Sequence, residues 1–85
     1  MGGEATAHVK VKIYTTPTCP WCRRAKEYFR QLGIPFTEVD VSRDRKGAEE
    51  MIRKSGQMGV PVIEIGNQII VGFDKARIDR ILGIS

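Results

Sequence analysis

The sequence predicts a single α/β domain: a four-stranded mixed sheet with helices on both faces, in the order β-α-β-α-β-β-α. Three observations carry that prediction. Short runs of apolar alternation are interleaved with stretches whose apolar residues recur at helical spacing. The first two helical stretches run into Gly33 and Gly56, the residue type that ends helices. The last two apolar runs are separated only by Gly66-Asn67, a two-residue hairpin signal. The first two strands, joined through a helix, are expected to be parallel with a right-handed crossover, and the hairpin strands antiparallel.

Val9, Val11 and Ile13 alternate with Lys10, Lys12 and Tyr14 as a first strand, broken at Thr15-Thr16-Pro17-Thr18. Cys19-Pro20-Trp21-Cys22 opens a helix. Pro20 suits the first helical position, where a missing N–H costs nothing. Ala25, Tyr28, Phe29 and Leu32 form its apolar face, with Tyr28 and Phe29 read as core or core edge. Pro35 follows Gly33, and Phe36 to Val41 reads as a second strand. Asp44 to Ser55 reads as a helix with Ala48, Met51 and Ile52 inward, although Gly47 weakens its first turn. Val62 to Ile65 and Gln68 to Val71 are the hairpin strands. Asp74 is an N-cap candidate for a last helix over Lys75 to Leu82, which buries Ala76, Ile78 or Ile81, and Leu82.

Composition narrows the function classes. The 85 residues leave room for one domain, expected over residues 9–85 behind a flexible leader of residues 1–8 that includes His8. Hydrophobic residues at 41% and charged residues at 28% are ordinary for a globular chain. The net charge of +4 is spread among acidic residues, as in Arg43-Asp44-Arg45-Lys46 before Glu49-Glu50, so no nucleic-acid partner is expected. No apolar run is long enough for a bilayer, and the first residues lack a secretory pattern, so no membrane partner is expected either. Met1-Gly2-Gly3-Glu4-Ala5-Thr6 formally fits a myristoylation pattern, but no second anchor accompanies it, and an untethered leader is the reading preferred. Two cysteines are too few for a secreted disulfide framework, and a Cys-x-x-Cys loop is too short to add much chain-entropy stabilisation. The cysteines therefore read as chemical rather than structural, in a cytoplasmic setting.

Cys19 stands where a strand gives way to a helix. The free N–H groups and the dipole of that helix favour negative charge, hence a thiolate. Cys22 lies one turn on along the same face, within disulfide reach. Such a pair can attack a substrate disulfide with one sulfur and resolve the mixed disulfide with the other. Arg23, Arg24 and Lys26 add positive field or are simply solvated. A tetrahedral metal site within one chain needs more ligands than two cysteines and the remote His8. The alternative reading is an iron–sulfur or metal-binding protein that dimerises through its active-site thiolates, two chains supplying four.

Ile13-Tyr14-Thr15-Thr16-Pro17-Thr18-Cys19-Pro20-Trp21-Cys22 resembles the active-site segment of glutaredoxins and glutaredoxin-like redoxins of the thioredoxin superfamily. The resemblance runs from about Val9 to Leu82, and the element order matches the minimal thioredoxin, glutaredoxin-like fold. It implies that Cys19 is the exposed nucleophile and Cys22 the shielded resolving thiol. It implies that Val60-Pro61 is a cis peptide facing the cysteines, with Val60 backbone groups pairing with the bound thiol partner. The remaining expected binding residues are Pro20, Trp21, Gln57, Gly72, Phe73 and Asp74, with Trp21 a contact platform. No bound cofactor is implied. Glutathione is a possible reducing co-substrate, disulfide-containing proteins or glutathione adducts are the substrates, and a monomer is expected.

Departures from the family pattern concern the electron donor. Thr16 and Met58 stand where many glutaredoxins carry a cation, and Trp21 stands where Tyr is usual. Gly72-Phe73-Asp74 is one residue tighter than the usual Gly-Gly-x-Asp that holds the γ-glutamyl end of glutathione. It resembles the Gly-Phe stretch of glutaredoxin-like electron donors to ribonucleotide reductase, which draw on thioredoxin reductase. Either donor, glutathione or thioredoxin reductase, fits the sequence.

Overall fold

In the computed structural model, residues 10–84 are described. The expected leader, with His8 and the myristoylation pattern, lies outside them, as does Val9. The elements are β1 (Val11–Thr15), α1 (Pro20–Leu32), β2 (Thr37–Asp40), α2 (Arg45–Ser55), β3 (Val62–Ile65), β4 (Gln68–Val71) and α3 (Lys75–Leu82). The sheet order is β2-β1-β3-β4. β1 runs parallel to β2 with Tyr14 opposite Val39, and antiparallel to β3 with Ile13 opposite Ile63. β4 returns antiparallel on β3 with Ile70 opposite Ile63. This is the predicted architecture, the minimal thioredoxin arrangement.

Period-2 alternation divides the core between the two faces of the sheet. Val11, Ile13, Ile63, Ile65 and Ile70 pack against Ala25 and Phe29 of α1 and Ile78 and Leu82 of α3. Tyr14 and Val62 pack against Met51 of α2 on the other face, with Val39, Val41, Val60 and Ile69 around them. Fully burying a side chain the size of Ile13, Phe29 or Ile78 stabilises the fold by about 1.5–3 kcal/mol each.

Several residue-level expectations are corrected. β1 continues through Thr15, whose hydroxyl is buried but donates to Glu38 Oε2 at 2.9 Å, so the strand stops one residue later than its apolar pattern. Tyr14 falls on the polar side of the alternation yet is buried, because α2 covers that face. β2 is shorter than the predicted stretch, with Phe36 and Val41 outside it. Ile52 is 38% exposed, whereas Gly47, read as a weakness, is buried. A Cβ at Gly47 would collide with Val39 Cγ1, so the glycine is what lets α2 lie close on β2. Ala76 is exposed, and Ile78 and Leu82 carry the burial of α3.

The face beneath α2 is tied by charge as well as packing. The Tyr14 hydroxyl donates to Glu50 Oε1 at 2.6 Å, Lys12 Nζ lies 3.2 Å from the same oxygen, and Lys54 bridges Glu50 and Glu64. The hydrogen bond from Tyr14, followed by that from Lys12, holds the Glu50 carboxyl down at about 2. A carboxylate depressed on folding contributes stability that is present above its unfolded value and is lost as pH falls. We expect the contribution of Glu50 to disappear between about 4.5 and about 2. Glu50→Gln should cost about 1–2 kcal/mol near neutral pH, and that cost should shrink towards zero at the acid end. Urea unfolding of both proteins across this range checks it. A pH-independent difference would show that Glu50 acts by packing alone.

Candidate active site

The strand–helix junction after β1 builds the site. β1 lies between β2 and β3, so its C-terminal end delivers the chain to the middle of the sheet edge. Pro20 starts α1, and Cys19 takes the N-cap in an extended conformation (φ −91°, ψ 112°). Cys19 Sγ accepts the Cys22 N–H at 3.2 Å, doing for the helix what a capping oxygen usually does. The Cys19 thiol donates to the Val60 carbonyl oxygen at 3.9 Å, which sets the loop before β3 directly across from it. The Val60-Pro61 bond is cis.

The two thiols are unequal. Cys19 is half-buried, less open than expected, while Cys22 is 1% exposed. Burial pushes the Cys22 thiol well above the usual range, and its hydrogen bond with Cys19 adds to this. A backbone hydrogen bond from Thr16 and the charge of Lys26 act in the opposite direction. The sulfur at the opening is thus the one held by the helix N-terminus, and the sulfur beneath it is kept as a neutral thiol.

Beside the pair is a shallow cavity of about 260 Å³ lined by Trp21, Val60, Pro61, Gly72 and Phe73. All five were expected at the site from the sequence, although they come from three separate segments. The Gly72 N–H donates to the Pro61 carbonyl at 2.8 Å and ties the exit of β4 to the proline loop. Gly72 has φ 85°, and a Cβ there would meet nothing within 4 Å. The glycine therefore serves the backbone conformation, not a close approach. Trp21 is 53% exposed, with the Arg24 guanidinium 4.9 Å from its ring centroid. Phe73 is half-buried and meets Tyr28 edge-on at 5.7 Å. Tyr28 in turn donates to Asp79 Oδ1.

Three expected residues sit apart from that lining. Pro20 is exposed at the helix start. Asp74 Oδ1 caps α3 by accepting the Arg77 N–H at 3.2 Å. Gln57 spends its amide on its own loop: Oε1 accepts the Gly59 N–H at 2.6 Å, and Nε2 donates to the Gly59 carbonyl at 2.9 Å. It therefore shapes the approach to Val60 from behind. Met58 is 76% exposed, and Thr16 is half-buried. Sequence reasoning did not separate Lys26 from Arg23 and Arg24, all three read as added positive field or solvated surface. Its i+4 spacing from Cys22 was the available signal, but its partner Glu38, and the Thr15 hydroxyl that donates to the same carboxylate oxygen, come from two strands. Among the described residues, no three of His, Cys, Asp and Glu cluster as metal ligands.

A four-stranded sheet of this order, with a Cys-x-x-Cys pair at the first helix N-terminus and a cis-proline opposite, defines a thioredoxin-fold protein. The chain belongs to the glutaredoxin family, whose profile matches residues 11–70. It is 54% identical over 72 residues to an uncharacterised glutaredoxin-like 8.6 kDa protein in the rubredoxin operon of Clostridium pasteurianum, covering 85% of this chain and 96% of that one. Its identity to glutaredoxin 3 of Escherichia coli is 44% over 64 residues, covering 75% and 77% of the two chains. Among solved structures, the glutaredoxin-like NrdH-redoxin from Escherichia coli superposes with a TM-score of 0.75 at 30% identity, covering 84% of this chain and 92% of that one.

Trp21 lies between the two sulfurs in sequence and is the single tryptophan of the chain. Its emission should change when the reduced protein is oxidised by a small disulfide, because a bond between Cys19 and Cys22 alters its immediate surroundings. Titration of fluorescence against oxidant checks this. Identical spectra for both forms, with the thiols shown to be consumed, would place the reaction away from Trp21.

Proposed function

We propose that the chain is a thiol–disulfide oxidoreductase that reduces protein disulfides or glutathione mixed disulfides through Cys19 and Cys22. The observation that carries this reading is the inequality of the two thiols: one at a helix N-cap by an open cavity, the other buried behind it. In the first step the Cys19 thiolate attacks a substrate disulfide, a mixed disulfide forms, and one substrate thiolate leaves. In the second, Cys22 attacks Cys19 Sγ and the second substrate thiolate leaves. The substrate gains two electrons, and the protein becomes a Cys19–Cys22 disulfide that an external thiol or a flavoprotein reductase must reduce.

The cavity walls of Trp21, Val60, Pro61, Gly72 and Phe73 suit the residues that flank a substrate sulfur, with Val60 backbone groups pairing alongside. Pro20 and Asp74 stand at the rim, and Gln57 contributes by holding Gly59. Burial of Cys22 weighs against the cluster-bridged dimer, which needs both thiolates of each chain at the surface. A monomer working in the reducing cytoplasm accords with this reading. Relatives of the family include both a glutaredoxin and a redoxin described as having a thioredoxin-like activity profile.

Cys19→Ser should abolish thiol exchange. Cys22→Ser should keep the attack but accumulate the mixed disulfide, which mass spectrometry detects as an adduct on Cys19. Equal loss in both variants with no trapped adduct would overturn the assignment of roles.

The donor follows from charge. Glutathione carries two carboxylates and one ammonium, and charge-assisted hydrogen bonds are the stronger kind. Thr16 and Met58 offer no cation, so glutathione should reduce the protein without saturating readily, and a thioredoxin reductase should compete as donor. Introducing Thr16→Lys with Met58→Arg should lower the apparent KM for glutathione about tenfold, the equivalent of roughly 1.4 kcal/mol. Parallel turnover assays with glutathione plus its reductase, and with thioredoxin reductase, check this. Tight saturation by glutathione in the unmodified protein, with no turnover by thioredoxin reductase, would contradict it.

A further inference from the structure

Resolution requires that Cys22 become a thiolate, yet Cys22 is buried, and burial disfavours the charge. The groups facing it are few. Its own helix supplies Cys19 and, at i+4, Lys26, while Arg23 and Arg24 are on exposed positions. The loop after β1 supplies the Thr16 backbone, while Glu38 of β2, which Arg30 also influences, joins Lys26 and Thr15. The loop before β3 brings Val60 opposite Cys19, and it carries no charge.

Lys26 is held firmly. Its Nζ lies 2.8 Å from Glu38 Oε2, and its side chain is 21% exposed, unlike that of a free surface lysine. The same oxygen takes the Thr15 hydroxyl at 2.9 Å, and Thr15 is itself buried in the sheet. The hydrogen bond from Lys26 draws the Glu38 carboxyl below the ordinary carboxylate range, so Glu38 stays anionic and is a poor base for a thiol. The cluster therefore fixes the positive charge of Lys26 one helical turn on from Cys22, with Glu38 as its counter-ion. That charge acts on Cys22 against the effect of burial.

We propose that Lys26, anchored by Glu38 and Thr15, is a positioning residue for the resolving step, its ammonium stabilising the Cys22 thiolate as that sulfur attacks the Cys19 mixed disulfide. The inference rests on the dithiol reading given above. In the step, Cys22 gives its proton to solvent and its sulfur bonds to Cys19 Sγ. The bond from Cys19 to the substrate sulfur breaks, and the departing thiolate takes up a proton. No oxidant is consumed beyond the substrate disulfide already attacked.

The test uses the whole reduced protein and a limiting aromatic disulfide whose thiolate product absorbs visible light, followed by stopped flow across pH. Attack releases the first thiolate and resolution the second. In Lys26→Met, the second phase should slow about tenfold relative to the first, with its pH midpoint raised by about one unit. Lys26→Arg should restore both. Lys26→Gln is the second uncharged variant, read in place of Lys26→Met if unfolding curves show that variant to be unfolded. Two phases with the same midpoint in the unmodified protein and the uncharged variant would overturn the role of Lys26 alone. Release of a single thiolate by the unmodified protein would overturn the dithiol reading itself, and the inference with it.

Discussion

The N-cap of α1 is a sulfur atom, and the arrangement of the site depends on it. Cys19 Sγ takes the Cys22 N–H at 3.2 Å, closing the first turn that Pro20 begins. An N-cap interaction contributes about 1 kcal/mol, which is modest, but its geometric effect is larger. With the first turn fixed, residue 22 points to the same side as Ala25 and Phe29, the buried face of α1. One sulfur is then left at the helix mouth while the next is sealed under it. The chemical difference between two identical side chains is thus a consequence of where a helix begins.

The remaining parts bring a wall up to that junction. The parallel β1–β2 pair and the antiparallel β3 place β1 inside the sheet, so the helix mouth opens beside the loop that leads into β3. Gln57 braces this loop from within, and the Gly72 N–H joins it to the end of β4. Phe73 follows, backed by Tyr28, which is in turn anchored on Asp79 of α3. The far wall of the cavity is therefore supported by two helices, whereas Trp21 on the near side is exposed and touched by Arg24. The two sides of the cavity thus differ, one backed by side chains from two helices and the other open to solvent.

Local signals were the legible ones. Pro20, Gly33, Gly56 and the Gly66-Asn67 turn act within a few residues of themselves, and the elements they bound are where the sequence places them. Tyr14, Gly47 and Ile52 were misread because each depends on how α2 sits on the sheet, which alternation along a single strand or helix does not encode. The cysteine pair was legible from spacing, but the cis Val60-Pro61 bond came only through family resemblance, since most such bonds are trans. The Lys26–Glu38–Thr15 cluster joins one helix and two strands, and no short stretch of sequence contains it.

The inequality of the two thiols can be measured directly by alkylating the native, reduced protein and reading each cysteine separately by mass spectrometry. Near neutral pH, Cys19 should be modified while Cys22, buried and held as a neutral thiol, remains untouched. Cys22 should react only at strongly alkaline pH or after unfolding. Equal labelling of both cysteines in the folded protein, or labelling of Cys22 first, would contradict the account.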